Sequence, residues 1–500
     1  MPKLHTNDCL SSGDALFLYL ERPGMPLNIA SVAVFDGKIP LVECTEFVSS
    51  KLPLIRRYFQ RVAIPPLYLG LPAWEFDPEF DIRNHIREIK LQRGSDADLK
   101  AAAANVLSGT LDRRHPLWDI TLMQGVKGDR TAMLVRAHHC MADGIAGVGV
   151  MNVLLDPEPV LPAPAQPGRP LHRRQPRTMR PSPVDELLNS LSSMVQRLLA
   201  MQSEVVDFAQ RRLSGAPQGT ASESERLLPE FPAPAERLPF NLVCRGPQKI
   251  AWGEISMAEI KAIRETTGTT VNDVVLTVLT SALRRYAELQ GAKLKGRQLR
   301  IAVPVNTRGN GSPSDLGNRI SFLPVSLPLG VRNPRKLLAT AHDRMHSLKT
   351  AHAAEFVGVA GGLLGMIPPP LQALAGPLAS QLPISLCNTI CTNVPGPQAP
   401  LYLLGRQMLR LYPYVPIGGE LGLNCAMLSY NGTAYFGFTG DAQAAPHLHR
   451  LEQILSLSFA ELQKAVGIEP RRPRRPSASR VVSLPKPAAK EKAVPFAESA

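Results

Sequence analysis

Apolar and polar positions alternate with a period of two in several short runs of this chain. In a few longer runs they recur every three or four residues. "LNIASVAVFDG" (27–37) reads as a strand that ends at a turn. "TAMLVRAHHC" (131–140) is a run of β-favouring residues. Between them "DADLKAAAANVLSGTLD" reads as a helix with Asp96 or Asp98 near its start. Further along, Leu187, Leu191, Met194, Leu198 and Met201 fall on one helical face. "TTVNDVVLTVLTSALRRYAELQ" predicts another helix, with Thr270 as N-cap and Asp273 where a capping-box acid belongs. "QLRIAVPVNTR" reads as a strand, and "LGLNCAMLSYNGTAYFGFTGD" as a hairpin turning at Asn431-Gly432. The pattern is that of an α/β (α+β) protein with two mixed domains, 1–155 and 241–468.

Segment 156–240 separates them. Its first part, 156–183, carries nine prolines, which exclude helix and central strand. With the helix that follows and a second proline-bearing loop, it forms one long crossover. The tail, 469–500, is rich in Arg, Pro, Ser, Lys and Ala and is expected to be disordered. From Phe356 to Gly405 no charged residue occurs, yet each apolar run inside is shorter than the ~20 residues a membrane span needs. Buried core helices, a wall of a lipid-shaped channel and a surface dipping into a membrane interface all fit this stretch.

A length of 500 residues predicts more than one core. The net charge of +14 is concentrated: 168–181 carries +5 and 471–500 carries +6. Such basic segments suit solvated linkers or an anionic membrane surface. No basic stripe interleaved with aromatics and no zinc-finger spacing occurs, which argues against nucleic acid. Seven cysteines without a CxxC suggest buried thiols in a reducing cytoplasm. The N-terminal apolar run is short and bounded by acids, unlike a signal peptide.

"RAHHCMADGIAG" (136–147) carries the candidate chemistry. Neighbours on a strand face opposite ways, so His138 and His139 cannot easily share a metal ion. No metal site is expected there. His139 would share an apolar face with Met133, Val135 and Ala137. A dry setting keeps imidazole neutral and able to accept a proton. Asp143-Gly144 supplies a turn. On these residues alone, structural histidines and a catalytic base both remain open.

"HHCMADG" (138–144) is similar to the HHxxxDG signature of CoA-dependent acyltransferases. "LSSGDALFLYLE" (10–21), "PLWD" (116–119), "VNDVVL" (271–276), "PVNTR" (304–308), "GN" (317–318), "TNVPGP" (392–397) and "SYNG" (429–432) follow in an order that resembles the bacterial wax ester synthase/diacylglycerol acyltransferase family. That family usually has Ser where Thr392 stands, and the hydroxyl is kept. The crossover and the tail lie outside the resemblance.

The resemblance implies two chloramphenicol-acetyltransferase-like units with an active-site tunnel between them. It implies transfer of a long-chain acyl group from acyl-CoA to diacylglycerol or a fatty alcohol, with acyl-CoA as substrate and no cofactor. His139 is then the expected general base, acting by direct transfer without Cys140 as nucleophile. His138, Asp143, Gly144, Asn272 and Asp273 are expected to support it. Thr392 or Asn393 is a candidate oxyanion donor, and Arg308 a candidate partner of Asp143. Trp74, His85, Trp118 and Tyr430 read as scaffold.

Two other functions fit parts of the sequence. A condensation-type domain would use carrier-bound acyl groups, but no carrier domain adjoins it on this chain. A non-catalytic lipid-droplet protein would use the apolar stretch and the basic segments, but would not need an intact HHxxxDG. The expected location is cytoplasmic, in peripheral contact with the inner membrane face or lipid droplets, with no nucleic-acid partner.

Overall fold

The strand expected at 27–37 forms as β1 (Asn28–Asp36), closed by Gly37 at a φ of 85°. The structure is a computed structural model that describes residues 9–141, 144–159, 234–306, 320–350, 369–381 and 386–469. The helix expected around 187–201, the 469–500 tail beyond Glu469, Asp143 and Arg308 lie outside these residues.

In the first half the order is α1 (Ser12–Leu20), β1, α2 (Leu41–Lys51), β2 (Gln60–Ala63), β3 (Ala73–Phe76), β4 (Ile86–Lys90), α3 (Asp96–Leu107), β5 (Trp118–Val126), β6 (Arg130–His138) and α4 (Gly144–Leu154). Ser95 caps α3 by accepting from the Asp98 amide, so both expected acids lie in its first turn. The second half carries β7 (Gln248–Ser256), β8 (Gln298–Asn306), β9 (Ile320–Pro328), β10 (Thr389–Pro395), β11 (Tyr402–Leu403), β12 (Arg406–Tyr414), β13 (Leu423–Tyr430) and β14 (Thr433–Asp441). Its helices include Val271–Leu289, Pro334–Thr350, Pro369–Ala379 and Arg450–Ala465.

These strands make two six-stranded mixed sheets, β11-β12-β1-β6-β5-β4 and β7-β14-β13-β10-β8-β9. One core packs against each. Phe35, Trp118 and Leu134 belong to the first, and Leu279, Tyr286 and Phe436 to the second. The hairpin turn falls at Asn431-Gly432, both with positive φ, as a tight turn of this kind demands. The capping box on Val271–Leu289 is complete: Thr270 Oγ1 accepts from the Asp273 amide and Asp273 Oδ2 from the Thr270 amide.

The structure departs from a division by sequence order in two places. Leu238 and Phe240, placed in the crossover, are buried in the second core. More importantly, β11 and β12 leave the second half and join the first sheet. There β12 runs antiparallel to β1, pairing Tyr414 with Ala30 and Arg410 with Val34. An uncovered β1 edge would leave a row of unpaired amides and carbonyls. Strand 406–414 has no counterpart among the elements expected from the sequence.

Contacts to the second sheet hold β12 in place. The Tyr430 hydroxyl donates to Met408 O and accepts from Leu401 N, both at 2.9 Å. Trp252 stacks on Tyr412 with ring centroids 4.3 Å apart. At Gly437 the backbone of β14 comes so near that a Cβ would lie 1.7 Å from Pro413 O, so only glycine fits.

Of the uncharged stretch, 356–368 and 382–385 lie outside the described residues, and the rest divides among its readings. Strand β10 forms part of a cavity wall, whereas helix Pro369–Ala379 is not a buried core helix: Leu371, Leu374 and Leu378 are 54%, 71% and 65% exposed. Among the described residues no helix is long and apolar enough to cross a membrane. Five of the seven thiols are buried, but Cys9 is exposed and Cys387 half-buried, so the expectation of buried thiols holds only in part. Cys9 forms an isolated bridge with Ala73.

Candidate active site

Strand β6 delivers the histidine pair, and backbone pairing fixes where each points. His138 N donates to Leu117 O and His139 N to Leu27 O, each at 2.9 Å. The alternation read from the sequence is present. Met133, Val135, Ala137 and His139 all line one cavity of about 740 Å³. His138, on the other face, is fully buried. The apolar stripe that ends at His139 is thus a cavity wall, not sealed core.

His139 is half-buried, and its remaining surface opens onto the cavity. The Phe17 ring stacks on the imidazole at a centroid distance of 4.0 Å and an interplanar angle of 9°. Its Nδ1 is fully buried. Burial holds the pKa of His139 down at about 4, with the neighbouring His138 adding to the effect. The ring is therefore neutral at pH 7.

His138 braces the turn behind it. Its Nδ1 accepts from the Cys140 amide at 3.1 Å, so Nε2 carries the proton and faces Glu21 Oε1 at 3.5 Å. Burial alone would raise the Glu21 pKa. The His138 N–H beside it and the Arg113 guanidinium overcome this and hold Glu21 at about 2. Glu21 also accepts from the Leu27 amide and from Arg113, whose guanidinium reaches Leu18 O. Burial pushes the Cys140 thiol well above its ordinary pKa, which makes it a poor nucleophile.

A second support lies one turn of strand away. Arg136 forms a buried two-pronged pair with Asp119 of "PLWD", at 2.7 and 2.8 Å. Its free prong reaches Val106 O and Gly109 O at 2.5 and 2.7 Å, tying β5, β6 and the end of α3 together. Trp118 is core, as expected. Its Nε1 donates to Tyr58 O, and its ring stacks on His85, which is itself buried. Trp74 is buried under the Arg57 guanidinium, and Tyr430 serves the β12 junction.

The remaining candidates separate. Thr392 and Asn393, on β10, line the cavity across from His139. Gly144 begins α4, which follows the histidines directly. Asn272 and Asp273 occupy the first turn of Val271–Leu289. The Asp273 carboxylate is taken up by the capping box and by His342 Nδ1 at 2.8 Å. Neither Asn272 nor Asp273 lines the cavity. Phe17, Glu21, Arg113 and the Asp119–Arg136 pair carry the site's geometry and had no role assigned from sequence. Phe17, Glu21 and Asp119 lie inside the family-like blocks, which was the available signal. Arg113 gave none, because its partners come from 92 residues away.

The chain matches the wax ester synthase/diacylglycerol acyltransferase catalytic domain over residues 10–275 and the WS/DGAT C-terminal domain over 316–463. It is 30% identical over 475 residues to a probable diacylglycerol O-acyltransferase of Mycobacterium tuberculosis, covering 93% of this chain and 96% of that one. A second such protein from that organism is 28% identical over 478 residues, covering 92% and 100%. Among solved structures, a wax ester synthase/diacylglycerol acyltransferase from Marinobacter aquaeolei VT8 superposes with a TM-score of 0.64 at 24% identity, covering 92% of this chain and all of that one. A condensation domain of the calcium-dependent antibiotic synthetase shares the fold at a TM-score of 0.56 and 15% identity, covering 92% and 96%. By these matches and the two-domain fold they share, the chain belongs to the wax ester synthase/diacylglycerol acyltransferase family and is an acyltransferase.

Proposed function

We propose that this enzyme moves a long-chain acyl group from acyl-CoA to the hydroxyl of diacylglycerol or a long-chain alcohol, with His139 as general base. The observation that carries the reading is a neutral imidazole facing an apolar cavity between the two sheets. Nε2 takes the acceptor's proton as its oxygen attacks the thioester carbonyl. The tetrahedral oxyanion is met by the Thr392 hydroxyl or the Asn393 amide. As the C–S bond breaks, the imidazolium returns the proton to the CoA thiolate. Apolar walls keep out water, which would otherwise hydrolyse the thioester. No acyl-enzyme is required.

The test is an acceptor panel. Purified protein is mixed with palmitoyl-CoA and diacylglycerol, monoacylglycerol, hexadecanol or sterol in turn, and free CoA thiol and ester product are measured. Ester formation with the first or third acceptor supports the reading. Absence of product with every acceptor overturns it.

The enzyme meets its insoluble lipids at a lipid surface. Support comes from helix Pro369–Ala379, whose Gln372 and Gly376 face inward, Gly376 against the Tyr19 backbone. Its Leu371, Leu374 and Leu378 face outward beside the segment bearing Leu67, which is 76% exposed. Such contiguous apolar surface suits an interfacial contact at the cytoplasmic membrane face or a lipid droplet. In vesicle flotation, Leu374→Asp with Leu378→Asp should abolish binding. Undiminished binding by the double variant excludes this helix.

A further inference from the structure

The cavity has a measurable length, because its floor is a sheet with known register. Strands β1 and β6 place Ile29 beside Ala137, Ser31 beside Val135 and Ala33 beside Met133. On the other side β12 places Pro413 beside Ser31 and Leu411 beside Ala33. These rungs run down one face of the sheet away from His139. At about 3.3 Å per residue, Met133 lies about 20 Å from the base.

Burial varies along this floor: on the first rung Ile29 is half-buried and Ala137 6% exposed. Ser31, Val135 and Pro413, on the middle rung, are half-buried. Ala33, Met133 and Leu411, on the last, are 3%, 5% and 1% exposed. Helix α4 is the opposite wall, with Val150 midway along it 6% exposed. Near the base, Gly147 leaves open space where a side chain would be, and Val148 is half-buried. At the far end Leu154 and Leu155 are buried. Just beyond them Asp156 bridges to Tyr402 of β11 and pairs with Lys51 at 2.9 Å, closing that end. The channel is therefore open at His139 and blind at Ala33.

We propose that this channel measures chain length. It takes one straight aliphatic chain attached to the carbon that reacts at His139, and Ala33 with Met133 forms its stop. A staggered chain of ~1.5 Å bonds advances about 1.3 Å per methylene, so 20 Å holds about sixteen carbons. The residue that decides the limit is Ala33. It is the smallest side chain on the last rung, and any enlargement fills the channel end. The proposal rests on the reaction at His139 stated above. The chain belongs either to the acyl group or to the acceptor, which share this chemistry.

Two series of initial rates on the full-length enzyme separate the sources. One varies the donor from octanoyl- to stearoyl-CoA with hexadecanol fixed. The other varies the alcohol from octanol to octadecanol with palmitoyl-CoA fixed. In Ala33→Phe the preferred chain should shorten by about four carbons. The palmitoyl-to-octanoyl (or hexadecanol-to-octanol) rate ratio should fall about tenfold or more, as excluded methylenes lose apolar burial. Met133→Ala should move the preference the other way, and Ala33→Val gives a milder version should the larger side chain prevent folding. A shift in the donor series assigns the channel to the acyl chain, and a shift in the alcohol series assigns it to the acceptor. Unchanged profiles in both series, or a fall uniform across lengths, overturn the proposal. Should the wild type release no CoA with any of these pairs, diacylglycerol replaces the alcohol in the donor series, and only failure there as well shows separately that the reaction at His139 is absent. The channel is then tested by displacing bound cis-parinaric acid with fatty acids of graded length. Equal length preference in wild type and Ala33→Phe would again sink it.

Discussion

Phe17 lies flat against His139, with ring centroids 4.0 Å apart and 9° between planes. One residue from α1 and one from the end of β6 thus form a single stacked unit on the cavity rim. The aromatic face fixes the plane of the imidazole and removes water from one side of it. Both effects suit the general base proposed for His139, which must be neutral and correctly aimed.

The pH profile should show this. With a pKa of about 4 against an ordinary 6.5, His139 is neutral throughout the range from pH 8 to 5. The acid limb of kcat/KM should therefore lie near pH 4–5 rather than 6.5. Phe17→Ala admits water beside the ring and should move that limb upward. The stability effect has the matching sign. The unfolded chain takes up this proton below pH 6.5 and the fold does not until about 4, so the contribution is lost as pH falls through that window.

His139→Ala should lower the rate of acyl transfer by about 10²–10⁴-fold. A thermal melt within about a degree of wild type would show that the base and not the fold is lost. Cys140→Ala should leave most of the activity in place, since its buried thiol takes no part in direct transfer.

Glu21 joins Leu27, Arg113 and His138. Glu21→Ala strips these groups of their acceptor and should cost about 1–3 kcal/mol in urea unfolding. The carboxylate is held at about 2 against an ordinary 4.5. Its contribution is present above pH 4.5 and fades as pH falls toward 2, so Glu21→Gln should flatten the acid side of the stability curve.

Asp119→Ala leaves the Arg136 guanidinium buried and partly unpaired. A loss of about 3–5 kcal/mol is expected, read as a lowered urea midpoint. The effect should far exceed that of Asp81→Ala, whose partner Arg83 is 84% exposed.

Tyr430→Phe removes the two hydrogen bonds of its hydroxyl, to Leu401 N and Met408 O, and leaves Tyr435 to hold β12 at Leu409 O. About 1–3 kcal/mol should be lost, because a buried amide and a buried carbonyl are left unsatisfied. Hydrogen exchange at Leu401 should quicken more than exchange in β13.

Much of this site was legible in one strand. Alternation along 131–139 places His139 with Met133, Val135 and Ala137 on one face and His138 on the other, because successive side chains of a strand point opposite ways. The Asn431-Gly432 turn and the Thr270–Asp273 capping box were legible for the same kind of reason. Each is set by residues within four positions of one another. The ordered motif blocks pointed to the family, although they assigned no task to Phe17 or Glu21.

Other features were beyond the sequence. Strand 406–414 is not among the elements expected from the sequence. That it covers the edge of β1 depends on which amides elsewhere lack partners. The apolar face ending at His139 would read the same in sealed core or in an open channel. Only the opposite wall, built by α4 and β10, decides that space remains and where it closes. The pKa of His139 is likewise a property of that enclosure, since desolvation depends on what surrounds a ring in space. Local pattern determined the strands, the turns and the candidate base. Tertiary packing alone determined the cavity, its blind end at Ala33 and the Glu21–His138 brace, because these join residues whose separation in sequence carries no record of their contact.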